Sequence, residues 1–213
     1  MNEPAIFYSE KHLKEVFEKM EDYKTMNLDV NTFFEMTGMI GSICNNPEDY
    51  ASFYHNYRGK RYRHDQVHNL FGYYMTRSAS EAFERYVPEK RILLFSRASY
   101  IGMHRFGGIW QGDNASWWSH LKMNVKMMPS LNMCGILYTG ADVGGFGADA
   151  TEDLVLRWLE FAVFTPLLRN HSARGTRRQE VYRFSHVEKF ADVIGVRYQI
   201  LPYIYSEYMK AAL

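Results

Sequence analysis

The sequence predicts an α/β protein built on a parallel sheet, and three features carry that expectation. From about residue 66 onward, short apolar runs alternate with stretches of helical periodicity. Successive strand candidates are separated by helices rather than tight turns, which implies right-handed βαβ crossovers. Arg97, Asp113, Asp142 and His171 each fall at the C-terminal end of a strand candidate, and in a parallel sheet those ends share one face.

Taken in chain order, SEKHLKEVFEKMEDYKTM (9–26) is an amphipathic helix with Leu13, Val16, Phe17 and Met20 on one face. SICNNPEDY (42–50) reads as loop, and the basic run RGKRYRH (58–64) as a solvated loop, because no basic face continues it. QVHNLFGYYMTRSASEAFERYV (66–87) sets Val67, Leu70, Phe71 and Met75 at helical spacing, and Pro88 closes it. RILLFSR (91–97) has the continuous apolar character of a strand buried on both faces. GGIWQGD (107–113) is a second strand ending at Asp113, SWWSHLKMNVKMM (116–128) a helix, and CGILYTGAD (134–142) a third strand. Asp149 with Glu152 resembles a capping box, and Thr151 and Asp153 also suit the start of the helix TEDLVLRWLEFAVF (151–164). TPLLRNHS (165–172) supplies a fourth strand or strand end, and HVEKFADVIGVRYQILPYIYSEYM (186–209) a long amphipathic helix. A rim of polar residues at strand C-termini is where a (β/α)8 barrel assembles its active site.

Composition narrows the ligand class. Lys plus Arg number 25 against 24 Asp plus Glu, a formal net charge of +1, so no footprint for nucleic acid or an anionic membrane surface is present. Neutral ligands fit better, and an aromatic content of 16 % offers the ring faces that grip sugars or bases. Cys44 and Cys134 lie far apart without CxxC spacing and read as free thiols. The most apolar long stretch, LVLRWLEFAVFTPLL (154–168), is interrupted by Arg157, Glu160 and Pro166 and is too short to span a bilayer. The N-terminal residues MNEPAIFYSEK lack the basic and apolar regions of a secretory signal.

Three motifs invite a chemical reading. HDQVH (64–68) nearly matches the H-E-x-x-H zinc pattern, but Asp65 replaces the glutamate and no third ligand follows; a histidine pair opening a helix is the simpler account. GADVGGFG (140–147) lacks the Walker lysine and the G-x-G-x-x-G spacing, so its glycines suit a backbone turn close to a ligand, with Asp142 offering a carboxylate to hydroxyl groups. Asp113 stands among Trp110, Trp117 and Trp118. A carboxyl group among rings loses solvation, which disfavours its ionised form and suits it to donate a proton to a leaving oxygen, as glycosidic cleavage requires. An aspartate capping the next helix accounts for the same pattern equally well.

The set MNEP (1–4), SR (96–97), WQGDN (110–114), GADVGGF (140–146) and RNHS (169–172), in that order, closely resembles glycoside hydrolase family 31, the retaining α-glucosidases. The resemblance implies that the chain is the second half of a (β/α)8 barrel, about strands 5 to 8 with their helices. Residues 66–213 would be its βα units and residues 5–65 a long loop or helical insertion after the fourth strand. It implies that Asp113 is the general acid/base and that Met1, Arg97, Trp110, Asp142, Phe146 and His171 line the pocket for the terminal sugar. In the family the nucleophile is an aspartate immediately before M-N-E-P, so the partner of Asp113 is expected just ahead of Met1, with Glu3 a poor substitute. The expected substrate is an α-glucoside or oligosaccharide, with no metal or cofactor. α-Xylosidase activity and noncatalytic sugar binding are the alternatives.

Overall fold

The computed structural model describes residues 9–27, 29–41 and 46–212. The chain divides into two compact units, Glu3–Gly72 and Tyr73–Leu213 with Met1–Asn2. The expectations placed on Met1, Glu3 and Cys44 lie outside the described residues.

The smaller unit begins with α1 (Glu10–Tyr23), whose N-terminus is capped by the Ser9 side chain accepting from the His12 N–H. Val16 is buried, but Phe17 is 58 % exposed, so the apolar face is narrower than the sequence spacing suggests. After α2 (Val30–Gly41) comes α3 (Pro47–Ser52), where the sequence reading expected loop. Pro47 at the helix start and Glu48 and Asp49 in the first turn are the reason: both features favour a helix N-terminus. Asp49 is buried, and His12 Nδ1 lies 3.0 Å from its Oδ2, which joins α3 to α1. The basic run is not a loop either. It forms the turn and second strand of a hairpin, β1 (Tyr54–Tyr57) and β2 (Lys60–Arg63). Arg58 and Gly59 adopt φ of 50° and 75°, the mirror-image turn that matches strand twist. Arg61 lies 3.8 Å over the Tyr54 ring. The next helix, α4 (His64–Tyr86), contains the division between the units.

In the larger unit the elements follow as β3 (Phe95–Ser96), a 3-10 turn (Met103–Arg105), β4 (Gly108–Trp110), α5 (Trp118–Met133), β5 (Thr139–Gly140), β6 (Asp142–Val143), α6 (Glu152–Ala162), β7 (Arg169–Asn170), a second 3-10 turn (Val181–Arg183) and α7 (Val187–Ala212). β3, β4 and β5 form a parallel ladder in that order, and β6 pairs in parallel with β7. Only Ala141 separates β5 from β6, so one short segment pairs with β4 through its first half and with β7 through its second. The outcome is the consecutive parallel order expected from alternating strands and helices.

The strands are shorter than the apolar runs. Residues 91–94 are not paired as strand, and Ile92 and Leu93 are exposed, because β3 has a strand partner on one side only among the described residues. Cys134 to Ile136 belong to the end of α5: the Cys134 N–H bonds to the Leu131 carbonyl and the Ile136 N–H returns to the same carbonyl. The expected capping box at Asp149 does not form. Thr151 caps α6 by accepting from the Leu154 N–H, Asp149 instead accepts from the Arg177 N–H, and Glu152 accepts from the backbone of Ser185 and His186. A threonine directly before the helix leaves the earlier aspartate free for a loop contact.

The main core is the face of α6, with Leu154, Val155, Trp158, Leu159 and Ala162 buried against Val143 and against Phe190 of α7. At about 1.5–3 kcal/mol for each large side chain fully buried, this face supplies most of the force holding α6 over the sheet. A second cluster joins Tyr73 of α4 to Met103 and Ile109. Met75 is 42 % exposed, so in this unit α4 turns Tyr73 inward rather than the residue predicted by spacing. Among the described residues no helix is long and apolar enough to cross a membrane.

Candidate active site

The ends of four successive parallel segments bring the predicted polar residues together. Arg97 follows β3 directly, and its Nη1 donates to Asp113 Oδ2 at 3.2 Å beyond the end of β4. Trp110, the last residue of β4, is buried and donates its indole N–H to Asp142 Oδ1 at 2.9 Å. Arg169, at the start of β7, donates to the same oxygen through Nε at 3.0 Å and Nη2 at 2.9 Å. The guanidinium groups of Arg97 and Arg169 lie over the Trp110 ring at 4.9 and 5.2 Å. One indole therefore links the Asp113 and Asp142 ion pairs.

These two carboxylates stand in opposite environments. Asp142 has no exposed surface, and burial pushes its carboxyl group up from the ordinary carboxylate value against the opposing hydrogen bonds and charge of Arg169, the charge of His171 and the Trp110 N–H. Its Oδ2 is buried without a hydrogen-bond partner among the described residues. Asp113, by contrast, keeps 39 % of its side chain exposed. The expectation that rings remove Asp113 from water is not met: Trp117 and Trp118 are themselves 56 % and 52 % exposed, and Trp110 is covered by two arginines. The sequence placed the desolvated aspartate at the right rim but at the wrong strand.

The loops that carry the remaining residues are fastened to one another. The Phe146 and Gly147 N–H groups both donate to the Asn114 carbonyl, at 2.6 and 3.0 Å, which docks the glycine-rich loop on the residue after Asp113. Gly145 has φ 88°, and a Cβ there would lie 2.6 Å from the backbone of Ser116, so only glycine permits this approach. The Ala173 N–H donates to the Phe146 carbonyl at 2.8 Å, and the Phe146 and His171 rings lie 5.1 Å apart at 32°. Of the predicted pocket residues, Arg97, Trp110, Asp113, Asp142, Phe146 and His171 are all on this rim.

Two residues of the rim escaped the sequence reading. Arg169 lies within RNHS, and its role depends on standing opposite Asp142 in the β6–β7 register, which only the pairing reveals. Gln179 is buried beneath the rim, and its partners are mostly backbone carbonyls that leave no trace in a sequence. The zinc reading of HDQVH fails on geometry. His64 Nε2 and His68 Nδ1 face each other at 2.9 Å instead of converging on a point, and among the described residues no group of three or more His, Cys, Asp or Glu is placed to hold a metal ion.

Parallel strands in consecutive order, with acidic, guanidinium and aromatic side chains gathered at their C-terminal ends, define the active-face layout of an α/β barrel. Residues 1–207 match the model of the glycosyl hydrolases family 31 TIM-barrel domain, and the chain belongs to that family. It is 36 % identical over 161 residues to alpha-glucosidase 2 of Bacillus thermoamyloliquefaciens, a match covering 74 % of this chain and 20 % of that protein. The structure of a family 31 alpha-glucosidase from Bacteroides thetaiotaomicron is similar with a TM-score of 0.66 at 34 % identity, covering 74 % of this chain and 27 % of that one. A family 31 dextranase from Flavobacterium johnsoniae, complexed with glucose, is similar with a TM-score of 0.68 at 28 % identity, covering 78 % and 21 %. The match thus spans about a fifth of the length of the alpha-glucosidase from Bacillus.

Proposed function

We propose that this chain carries the proton-donor side of a retaining α-glucosidase site, within the second half of a (β/α)8 barrel, and that the longer enzyme releases terminal non-reducing α-linked glucose from oligosaccharides. The observation that carries this reading is the exposed Asp113 held by Arg97 at the rim, tied through Trp110 to the buried Asp142. Residues 66–213 are its βα units, and residues 5–65 its insertion after the fourth strand.

In the first step Asp113 gives its proton to the glycosidic oxygen as the leaving sugar departs, while a second carboxylate about 5 Å away attacks the anomeric carbon from the opposite face. In the second, ionised Asp113 takes a proton from the water that hydrolyses the glycosyl intermediate, and both carboxylates are restored. Arg97 engages Oδ2 of Asp113, which leaves Oδ1 to carry the transferred proton. Asp142, fully buried, acts as the anchor that orients Arg169 and Trp110. Phe146 and His171 receive the sugar, the ring by apolar contact and the imidazole by hydrogen bonding to a hydroxyl. The attacking carboxylate is the residue that precedes Met1 in the longer enzyme, as the M-N-E-P resemblance implies. No cofactor enters these steps.

The test uses an aryl α-glucoside. The 213-residue chain alone is expected to show no turnover, and a chain extended upstream through the first barrel half to show it. In that extended enzyme Asp113→Asn should abolish hydrolysis of substrates with poor leaving groups and spare part of the activity on activated aryl glucosides. Equal loss on both classes would remove Asp113 from the acid/base role.

A further inference from the structure

Gln179 sits outside every motif that marked the site, yet its side chain touches both loops that carry the sugar-facing rings. The residue is 3 % exposed. Its Nε2 lies 3.0 Å from the Val143 carbonyl and 3.1 Å from the Gly145 carbonyl on the glycine-rich loop. The same nitrogen lies 3.0 Å from Asn170 Oδ1 and 3.3 Å from the His171 carbonyl at the end of β7. The Asn170 side chain returns a hydrogen bond to the Gln179 carbonyl at 2.7 Å.

The chemistry of the amide fixes its direction. An NH2 group has two hydrogens, so it can give one to each loop at the same time. The other end, Oε1, is buried without a hydrogen-bond partner among the described residues. Turning the amide over would aim that oxygen at four acceptors, so the present orientation is the one that hydrogen bonding selects. A cage of oxygens around one buried donor has a further property: it rejects any residue of similar size that has no hydrogen to give.

We infer that Gln179 is a positioning residue that pins the glycine-rich loop to the end of β7, and so holds Phe146 and His171 in the 5.1 Å arrangement that receives the sugar. The inference rests on the sugar-site reading for its purpose, but not for its geometry. It also accounts for a buried glutamine on a surface loop, where an apolar residue would fill the same space without leaving Oε1 unpaired.

The experiment is NMR on the whole chain, with D-glucose as the probe. In the parent chain, cross-relaxation between the Phe146 and His171 rings should be visible and glucose should shift the signals of both. Gln179→Met keeps side-chain length and removes the donor. It should abolish the ring-to-ring signal and move the His171 resonances, while Trp158 and Phe190 of the main core keep theirs. Gln179→Glu is the second variant, because its donor can be switched within one folded chain. Ionised, it has no hydrogen to give and the ring-to-ring signal should be absent. Protonated by mild acid, it regains one hydrogen, enough for one loop at a time, and the signal should return in part. Persistence of the signal in Gln179→Met, or indifference of Gln179→Glu to its own ionisation, overturns the positioning role. If both variants behave as expected but glucose shifts nothing in the parent chain, the sugar reading of the rim falls and the role of Gln179 stands.

Discussion

Each unit of this protein contains a cluster built around one titratable group with no exposed surface, and these two clusters are satisfied by different physics. In the larger unit, Asp142 is compensated by a permanent cation, Arg169, at 2.9 Å. In the smaller, the fully buried His64 is compensated by two more imidazoles: its Nδ1 lies 2.8 Å from His55 Nε2, and its Nε2 lies 2.9 Å from His68 Nδ1. The Tyr50 ring stacks on His68 at 4.6 Å and meets His64 edge-on. A charge pair needs no choice of tautomer. A chain of three imidazoles does, since each link takes one proton and no more. With both links intact the three rings hold at most one net charge, on the outer nitrogens. A second added proton sets N–H against N–H across less than 3 Å, so the chain must open.

The largest effect should come from breaking the charge pair. Arg169→Met leaves a buried carboxylate with the Trp110 N–H and the more distant charge of His171, and losing one partner of such a pair costs about 3–5 kcal/mol. The double variant Asp142→Leu/Arg169→Met should recover most of that loss, because it removes the stranded charge as well. Urea unfolding of the two single variants and the double variant measures the coupling. If Arg169→Met costs less than the double variant, Arg169 is not what compensates Asp142.

His68→Phe should cost less, about 1–3 kcal/mol, the penalty for removing the ring-to-ring hydrogen bond at buried His64 Nε2 while Tyr50 keeps a ring to stack on. The parent chain also separates the clusters by pH. Burial, with the charges of His68 and His55, holds His64 below the ordinary histidine value of 6.5, against the pull of Asp65. Its unfolded form therefore binds a proton more readily, so its contribution to stability is full above that value and is lost as pH falls through the lower folded one. Tyr50 and the Arg63–Asp65 pair are the other titratable groups around it. Asp142 has the opposite sign: its raised value makes its contribution full below 3.8 and lost as pH rises through the folded value. Hydrogen exchange between pH 7 and 5, corrected for intrinsic rates, should show the His64 N–H, bonded to the Phe53 carbonyl, losing protection. The amides of the β6–β7 ladder should hold theirs. Parallel loss in both places would mean that the histidine chain does not set the acid response.

The comparison also separates what a sequence displays from what it hides. Alternation of apolar runs and helical periods was enough for the parallel order, and strand ends were enough for Arg97, Asp113, Asp142 and His171 to share a rim. Strand lengths were not legible, because Cys134 to Ile136 look like strand and serve as the end of α5. Nor was the exchange of environments between Asp113 and Asp142. Tryptophan neighbours in sequence do not desolvate Asp113 when Trp117 and Trp118 face out, and Arg169 becomes the partner of Asp142 only through strand register. HDQVH suggested a metal because two histidines one turn apart share a helix face. The third ring arrives from β1, and it arrives nitrogen to nitrogen.

The smallest effect sharpens the contrast between buried and exposed compensation. Asp65 sits in the first turn of α4 and receives both Nε and Nη2 of Arg63, at 2.7 and 2.8 Å, but the pair is open to water. An exposed pair gains little over its hydrated components and is weakened by salt. Asp65→Asn should therefore shift the urea midpoint less than His68→Phe, and in 1 M salt the shift should shrink toward zero. The shifts caused by Arg169→Met and His68→Phe should survive the same salt, because counter-ions do not reach a group with no exposed surface. A salt-resistant loss in Asp65→Asn would instead place Asp65 inside the histidine cluster's balance of charge, where its pull on His64 favours the protonated ring. In that case acidification should destabilise Asp65→Asn more steeply than the parent chain, since His64 would lose the one carboxylate that eases its protonation in the folded state.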